Sequence, residues 1–362
     1  MSRKRDKRPR SYNSWMTLLG GLTPRTFLRR YWQKRPLFVR AALPAFRGVV
    51  DERALAALAA RDDVESRLVE RSGRRRNTAY GPFKSVSLKK INSTLLVSGV
   101  NLHLEAADRL LRRFDFVPQA RLDDVMVSFA TRGGGVGPHV DSYDVFLLQA
   151  SGRRHWRVWG SNKKALEYLA ETGDLLYLPP GWRHDGVALE PCFTYSIGFR
   201  APRGAELGAA FLDWLHERGL PDAAYRDPRL EPTSRPAQIP REMIRFARTI
   251  MEKVKTSRTD ASAVLGQYLT TPKPHVVFRP GRSQRALARA EVQLDPKTQL
   301  LYSGKRFYLN GECITVGKKD CALLKELADR RHLTGARLAR AALADLVYDW
   351  HRAGYLRLKA MT

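Results

Sequence analysis

Two metal-ligand side chains, His139 and Asp141, stand two residues apart in the stretch GGGVGPHVDSYDVF, residues 133–146. Along an extended chain, residues i and i+2 point to the same side, so an imidazole and a carboxylate are offered together. The apolar run VFLLQ that follows has the character of a buried strand. The two ligands therefore stand where a rigid element begins. Further on, GDLLYLPPGWRHDG, residues 173–186, reads as a strand, a Pro-Pro-Gly turn and a second strand opening at His184. In a closed double-stranded β-helix these strands bring His184 beside His139 and Asp141. Two imidazoles and one carboxylate on one face leave three positions open. That is the donor set of non-haem Fe(II) sites, where a co-substrate and dioxygen must both reach the metal. A bare HxD pair is common; the glycine-rich lip, the strand behind it and the return through PPGxxH make this one specific. The other histidines read as surface, packed or linker residues, and His155 alternates out of phase with Arg154 and Trp156.

A second element, GRRHWRVWG at residues 152–160, puts Arg154, Trp156 and Val158 on one face. An arginine inside an apolar barrel is costly unless an anion meets it, and a carboxylate matches the guanidinium fork. The alternative is an arginine at the strand end reaching solvent.

These residues need a scaffold, and the chain supplies one. From 123 to about 202, short apolar or alternating segments recur about every ten residues, punctuated by Gly and Pro, as in a sandwich or barrel. Before it, TPRTFLRRYW opens with Thr23 as N-cap and Pro24 at the first helical position. DERALAALAA reads as a helix with an acidic first turn, ESRLVERSGRRRNTAYGPF as a hairpin turning at Ser72-Gly73, and NLHLEAADRLLRRF as one helix. Residues 203–275 are helical, interrupted by a Pro-rich stretch. Residues 285–362 alternate strands, with turns at Ser303-Gly304 and Asn310-Gly311, and three helices ending in a strand, which suggests a winged helix. The expectation is an α+β chain: a basic tail at 1–13, a cupin-like catalytic domain at 14–202 with its double-stranded β-helix at about 121–200, the helical region, and the winged-helix-like domain.

With 362 residues and 43% apolar content, the chain has ample material for such cores. It contains no run of 18 apolar residues and no signal-like opening, so neither a membrane span nor secretion is expected, and the setting reads as cytoplasmic. Three separated cysteines without a CxxC pair argue against a disulfide or zinc framework. The net charge of +28 favours polyanionic surroundings such as nucleic acid or ribonucleoprotein.

The combined pattern GGGVGPHVDSYDVFLLQASGRRHWRVWG with GDLLYLPPGWRHDGVALE and YSIGFRAP resembles the bacterial ribosomal oxygenases, JmjC-type enzymes that use 2-oxoglutarate. YWQKRPLFVR and SRLVERSG…YGPF are similar to the family's N-terminal segments. The resemblance implies Fe(II) held by His139, Asp141 and His184, with 2-oxoglutarate and dioxygen as co-substrates. It implies Arg154 on the distal carboxylate of 2-oxoglutarate. Ser196 and Tyr195 lie on the last strand of the block, where they could touch the co-substrate. Its implied activity is hydroxylation of an arginine β-carbon in the large-subunit ribosomal protein numbered sixteen. An arginine substrate calls for aromatics and carboxylates near the metal, and Tyr143 and Asp144 follow the HxD directly. The resemblance also implies a homodimer built through residues 203–275. The chain departs from the family in the short connection at 161–171, in lacking an aromatic near Ser93, and in its basic charge.

Three readings stay open at this level: the protein hydroxylase, a JmjC demethylase or hydroxylase of another protein, and a non-enzymatic winged-helix protein that binds nucleic acid. Contact with ribosomal RNA is compatible with the charge.

Overall fold

In the computed structural model, residues 12–73, 75–160, 164–226, 228, 238–254, 258–281 and 286–360 are described. Residues 1–11 of the expected basic tail, residues 161–163 of the short connection and most of the Pro-rich stretch lie outside them. The chain divides into two compact units: residues 1–201, 272–298 and 330–362, and residues 202–271 and 299–329. The C-terminal segment expected as one winged-helix-like block is thus shared between them.

The first unit opens with α1 (Tyr12–Leu18) and α2 (Pro24–Arg30). Thr23 caps α2 by accepting from Thr26 N–H at 3.1 Å. Then come β1 (Leu37–Val39), α3 (Glu52–Ala59, capped by Asp51), β2 (Ser66–Ser72), β3 (Arg75–Tyr80) and β4 (Ser93–Val97). The expected single helix after β4 is two, α4 (Val100–His103) and α5 (Glu105–Leu111), because Leu104 between them is extended. The barrel strands follow: β5 (Leu122–Ala130), β6 (Val145–Ser151), β7 (Arg154–Trp159), β8 (Ala165–Ala170), β9 (Leu175–Leu178), β10 (Arg183–Ala188) and β11 (Cys192–Phe199).

They form an eight-stranded sheet in the order β1-β9-β6-β11-β5-β4-β2-β3 and a three-stranded sheet β10-β7-β8. Strand β6 explains why VFLLQ is apolar throughout. Val145 and Leu147 face Trp156 and Val158 inside the double-stranded helix. Phe146 and Leu148 face the opposite layer, with Phe27, Leu55 and Phe114. A strand covered on both faces has no place for polar alternation.

The second unit contains α6 (Gly204–Arg218), α7 (Arg241–Lys253) and α8 (Arg258–Thr270). It also holds the sheet of β12 (Leu300–Ser303), β13 (Arg306–Leu309) and β14 (Glu312–Thr315), with α9 (Cys321–Arg330) running to its boundary. Here α8 lies so near the sheet that a Cβ on Gly266 would stand 2.3 Å from the Tyr308 ring.

The remaining elements belong to the first unit. They are a strand at residues 290–294, β15 (His332–Thr334), α10 (Gly335–Ala339), α11 (Ala344–Arg352) and β16 (Leu356–Ala360). The 290–294 strand pairs with both β15 and β16. Glu105 of α5 accepts from Arg357 at 2.9 Å and from Lys359 at 2.9 Å. The Lys359 ammonium above all holds its carboxyl below the usual range. No helix of the described residues is long and apolar enough to cross a membrane.

Candidate active site

His139, Asp141 and His184 come together as the spacing predicts. His139 and His184 form an antiparallel bridge, with ring centroids 4.2 Å apart. Asp141 offers Oδ1 at 3.8 Å from His139 Nε2 and Oδ2 at 3.6 Å from His184 Nε2. One potential ligand atom from each lies within 4.8 Å of the others. The Asp141 carbonyl accepts from Gly181 N–H at 2.9 Å, which ties the HxD to the Pro-Pro-Gly turn. Each imidazole places Nδ1 against a carbonyl two residues earlier, His139 on Gly137 at 2.9 Å and His184 on Trp182 at 3.0 Å. That contact fixes the proton on Nδ1 and turns the Nε2 lone pair inward, the arrangement that orients metal-bound histidines. Burial lowers the His184 pKa and favours the neutral ring a ligand requires.

The glycine lip owes its composition to close backbone packing. A Cβ on Gly134 would meet the Ser93 carbonyl at 2.3 Å, and one on Gly135 would meet the Gly186 carbonyl at 2.3 Å. The lip is therefore pressed between β4 and β10, and it holds His139 in register.

Arg154 points inward, 4% exposed. Its Nη1 donates to Thr194 Oγ1 at 3.1 Å and Ser128 Oγ at 3.3 Å, while Nε has no partner among the described residues. Burial depresses its pKa. A buried guanidinium whose hydrogen bonds go only to hydroxyls is a receptor for an anion.

These groups line one cavity of about 300 Å³. Ser196 and Tyr143 are in its wall, as the sequence suggests. Tyr195 and Asp144 are not. Tyr195 points to the helix layer, where its hydroxyl accepts from Val49 N–H at 2.7 Å. Asp144 is fully buried behind the site. It accepts from the Tyr177 hydroxyl at 2.6 Å, from Gln33 Nε2 at 3.0 Å and from Arg121 at 3.2 Å. As a substrate contact Asp144 is therefore corrected: entering β6, it faces the layer opposite Val145, and its carboxylate is consumed in joining the turn after α2, the residue before β5, and β9.

No motif of the chain marks the acidic end of the cavity. Glu65, Asp123 and Asp124 line it, with Lys273 bonded to Asp123 at 3.1 Å. Burial, then the neighbouring Asp123, raise the Asp124 pKa to about 6. Asp124, Met126 and Ser128 share one face of β5, so Asp124 lies about 13 Å along the strand from Ser128, which Arg154 touches. Period-two parity in DDVMVSF aligns Asp124 with Met126 and Ser128, but not with Glu65 or Lys273.

A double-stranded β-helix holding two imidazoles and a carboxylate beside a buried, anion-seeking arginine defines a JmjC-type oxygenase. Residues 109–207 match the JmjC domain family, and residues 251–357 match the ROXA-like winged helix family. The chain is 35% identical over 316 residues to the Escherichia coli ribosomal protein uL16 3-hydroxylase, covering 80% of this chain and 84% of that one. It is 34% identical over 208 residues to a probable ribosomal oxygenase of Haemophilus influenzae, 51% of this chain and 52% of the relative. The solved structure of YcfD, a ribosomal oxygenase from E. coli, in complex with cobalt and 2-oxoglutarate has 32% identity and a TM-score of 0.81, covering 94% of this chain and 99% of that chain. The chain belongs to the ribosomal oxygenases.

Proposed function

We propose that this protein is an Fe(II)- and 2-oxoglutarate-dependent oxygenase that hydroxylates the β-carbon of an arginine in a large-subunit ribosomal protein, the counterpart of uL16. The carrying observation is one cavity that holds the His139–Asp141–His184 cluster, the buried Arg154 with its unbonded Nε and, toward the start of β5, the acids Asp123 and Asp124, the latter about 13 Å along the strand from Ser128. The three ligands would hold iron, which when bound supplies dioxygen activation coupled to decarboxylation of the co-substrate. Arg154, backed by Thr194 and Ser128, would hold the distal carboxylate of 2-oxoglutarate, with Ser196 beside it. At the acidic end, Asp123 and Asp124 would receive the substrate guanidinium, and Tyr143 would flank its alkyl stem. In this reading a mid-chain carbon, rather than the charged tip, would face the metal. A demethylase would require an aromatic cage for a methylated nitrogen; Tyr143 and Trp156 are the aromatic residues of the described cavity wall, and Trp156 packs on Gly186 and Arg154.

The setting is read as cytoplasmic, in contact with ribosome-assembly intermediates and their RNA. The protein is read as a homodimer through residues 203–275, where α7 exposes Met243, Ile244 and Met251. Purified protein with Fe(II) and 2-oxoglutarate is expected to add about 16 Da, one oxygen atom, to a ribosomal protein. No mass gain on any ribosomal protein with iron bound would overturn this reading.

A further inference from the structure

The cavity wall does not stop at the cavity. Strand β4 contributes Thr94 and Leu96 to it. Val69 and Arg67 of β2 stand directly across from them, and Thr78 and Tyr80 of β3 stand across from those. Arg71 and Arg76 form the next pair on the same face. Cross-strand partners project to one side of a sheet, so the pocket-facing surface continues outward as a shelf in which Arg67, Arg71, Arg76, Thr78 and Tyr80 surround the buried Val69. Strand β3 is the last strand of its sheet and is exposed along its whole length.

The shelf is strongly basic. From 66 to 92 the sequence has eight Lys and Arg and one acid, Glu70. Glu70 is engaged by Lys90 at 2.9 Å. Arg67 and Arg71 form no ion pair among the described residues. Arg76 donates to the Val136 carbonyl at 2.5 Å, which ties the shelf to the lip beside His139. Tyr80 is 75% exposed, although a tyrosine ring is an expensive group to leave in water on a bare sheet.

We propose that this shelf binds a single-stranded segment of RNA. Unpaired arginines suit a phosphate backbone, and an exposed tyrosine on an open sheet is a platform for an unstacked base. A basic ribosomal-protein peptide would be repelled by the same surface and drawn only to the acidic end of the cavity. The inference rests on the ribosomal reading above. It adds that the enzyme meets its substrate alongside RNA, with the phosphate-binding shelf and the arginine-binding cavity side by side on one sheet.

The test uses the full chain without iron or 2-oxoglutarate, so its outcome is independent of hydroxylation. A labelled oligouridine of about 12 nucleotides and an RNA duplex of equal length are titrated at several salt concentrations. The oligouridine is expected to bind more tightly than the duplex. The double variant Arg71→Gln/Arg76→Gln should weaken it about tenfold or more and lower the slope of log K against log salt by about two. Tyr80→Ala should weaken the single strand and leave the duplex unchanged. The double variant Arg29→Gln/Arg30→Gln on α2, whose Phe27 packs on Tyr177 toward the far end of the sheet, should change neither. The proposal fails if oligouridine does not bind, if the α2 variant weakens binding equally, or if Tyr80→Ala has no effect. It also fails if the shelf variants raise the KM for a ribosomal-protein peptide while RNA binding is retained, since the shelf would then be a peptide-binding edge.

Discussion

His139 and His184 exchange both backbone hydrogen bonds, N–H to carbonyl at 3.0 Å in one direction and 2.9 Å in the other. Two potential metal ligands from segments 45 positions apart (184 − 139) are thus held by main chain rather than by a metal. The site is preorganised, and side-chain loss should empty it without unfolding the barrel. His139→Ala is expected to weaken Co(II) binding, followed by its visible absorption, at least 100-fold, about 3 kcal/mol. Its metal-free melting temperature should move by only a few degrees. A large drop in metal-free stability would show that the imidazole, and not the main-chain bridge, holds the site together.

Arg154 carries a buried charge with one unbonded nitrogen, so the free protein bears a cost that a bound carboxylate relieves. In thermal-shift assays, 2-oxoglutarate at about 100 times its Kd should stabilise the metal-loaded wild type by about 2.7 kcal/mol. Arg154→Met is expected to abolish that shift and to melt no lower than wild type when 2-oxoglutarate is absent. A variant that still responds fully to 2-oxoglutarate would remove Arg154 from the co-substrate site.

The Asp144 carboxylate joins three elements behind the cavity, and its role is mechanical. Asp144→Ala leaves Arg121, Gln33 and the Tyr177 hydroxyl facing a vacated buried position. The expected cost is about 3 kcal/mol in chemical denaturation. At temperatures where the variant is folded, KM for the protein substrate should be close to wild type. A KM effect without a stability effect would return Asp144 to the substrate site.

Asp124 holds its proton up to about pH 6 in the folded protein, against 3.8 ordinarily. The group therefore favours the folded state fully below about pH 4, and that contribution is lost as pH rises through 6. It faces Asp123, Glu65 and Lys273, and Tyr143 lies within its field. Asp124→Asn should raise stability at pH 7.5 by on the order of 1 kcal/mol, and the gain should vanish near pH 4. The same substitution should raise KM for an arginine-containing peptide at least tenfold, while the asparagine side-chain oxygen can still accept from Gly99 N–H as Asp124 Oδ2 does at 2.9 Å. Lower stability at pH 7.5 would contradict both halves of the prediction.

What the sequence disclosed follows from what short spacing can carry. His139 and Asp141 were legible because period two needs only a strand, and His184 because its turn is marked by PPG. Arg154 was legible because Trp156 and Val158 fix the inward parity of β7. Asp144 misled because adjacency to the ligands says nothing about facing: one residue further along, the side chain enters the opposite layer. The same parity rule separates Ser196 from Tyr195 once β11 is known to have one face on the cavity. The acidic end could not be assembled in advance. Glu65, Asp124 and Lys273 reach it from three distant segments, and only the sheet order brings them together. The division of the C-terminal segment was hidden for the same reason, since the 290–294 strand takes partners some 40 and 65 positions away.

Arg357 and Lys359 of the final strand are both bonded to Glu105, about 250 residues earlier. During synthesis the oxygenase barrel emerges whole long before that strand does. A nascent chain with residue 202 clear of the ribosome would already display the metal ligands, yet the Glu105 carboxylate would still lack both cations. The last contacts of this unit therefore close only after the final strand has itself been synthesised and has emerged.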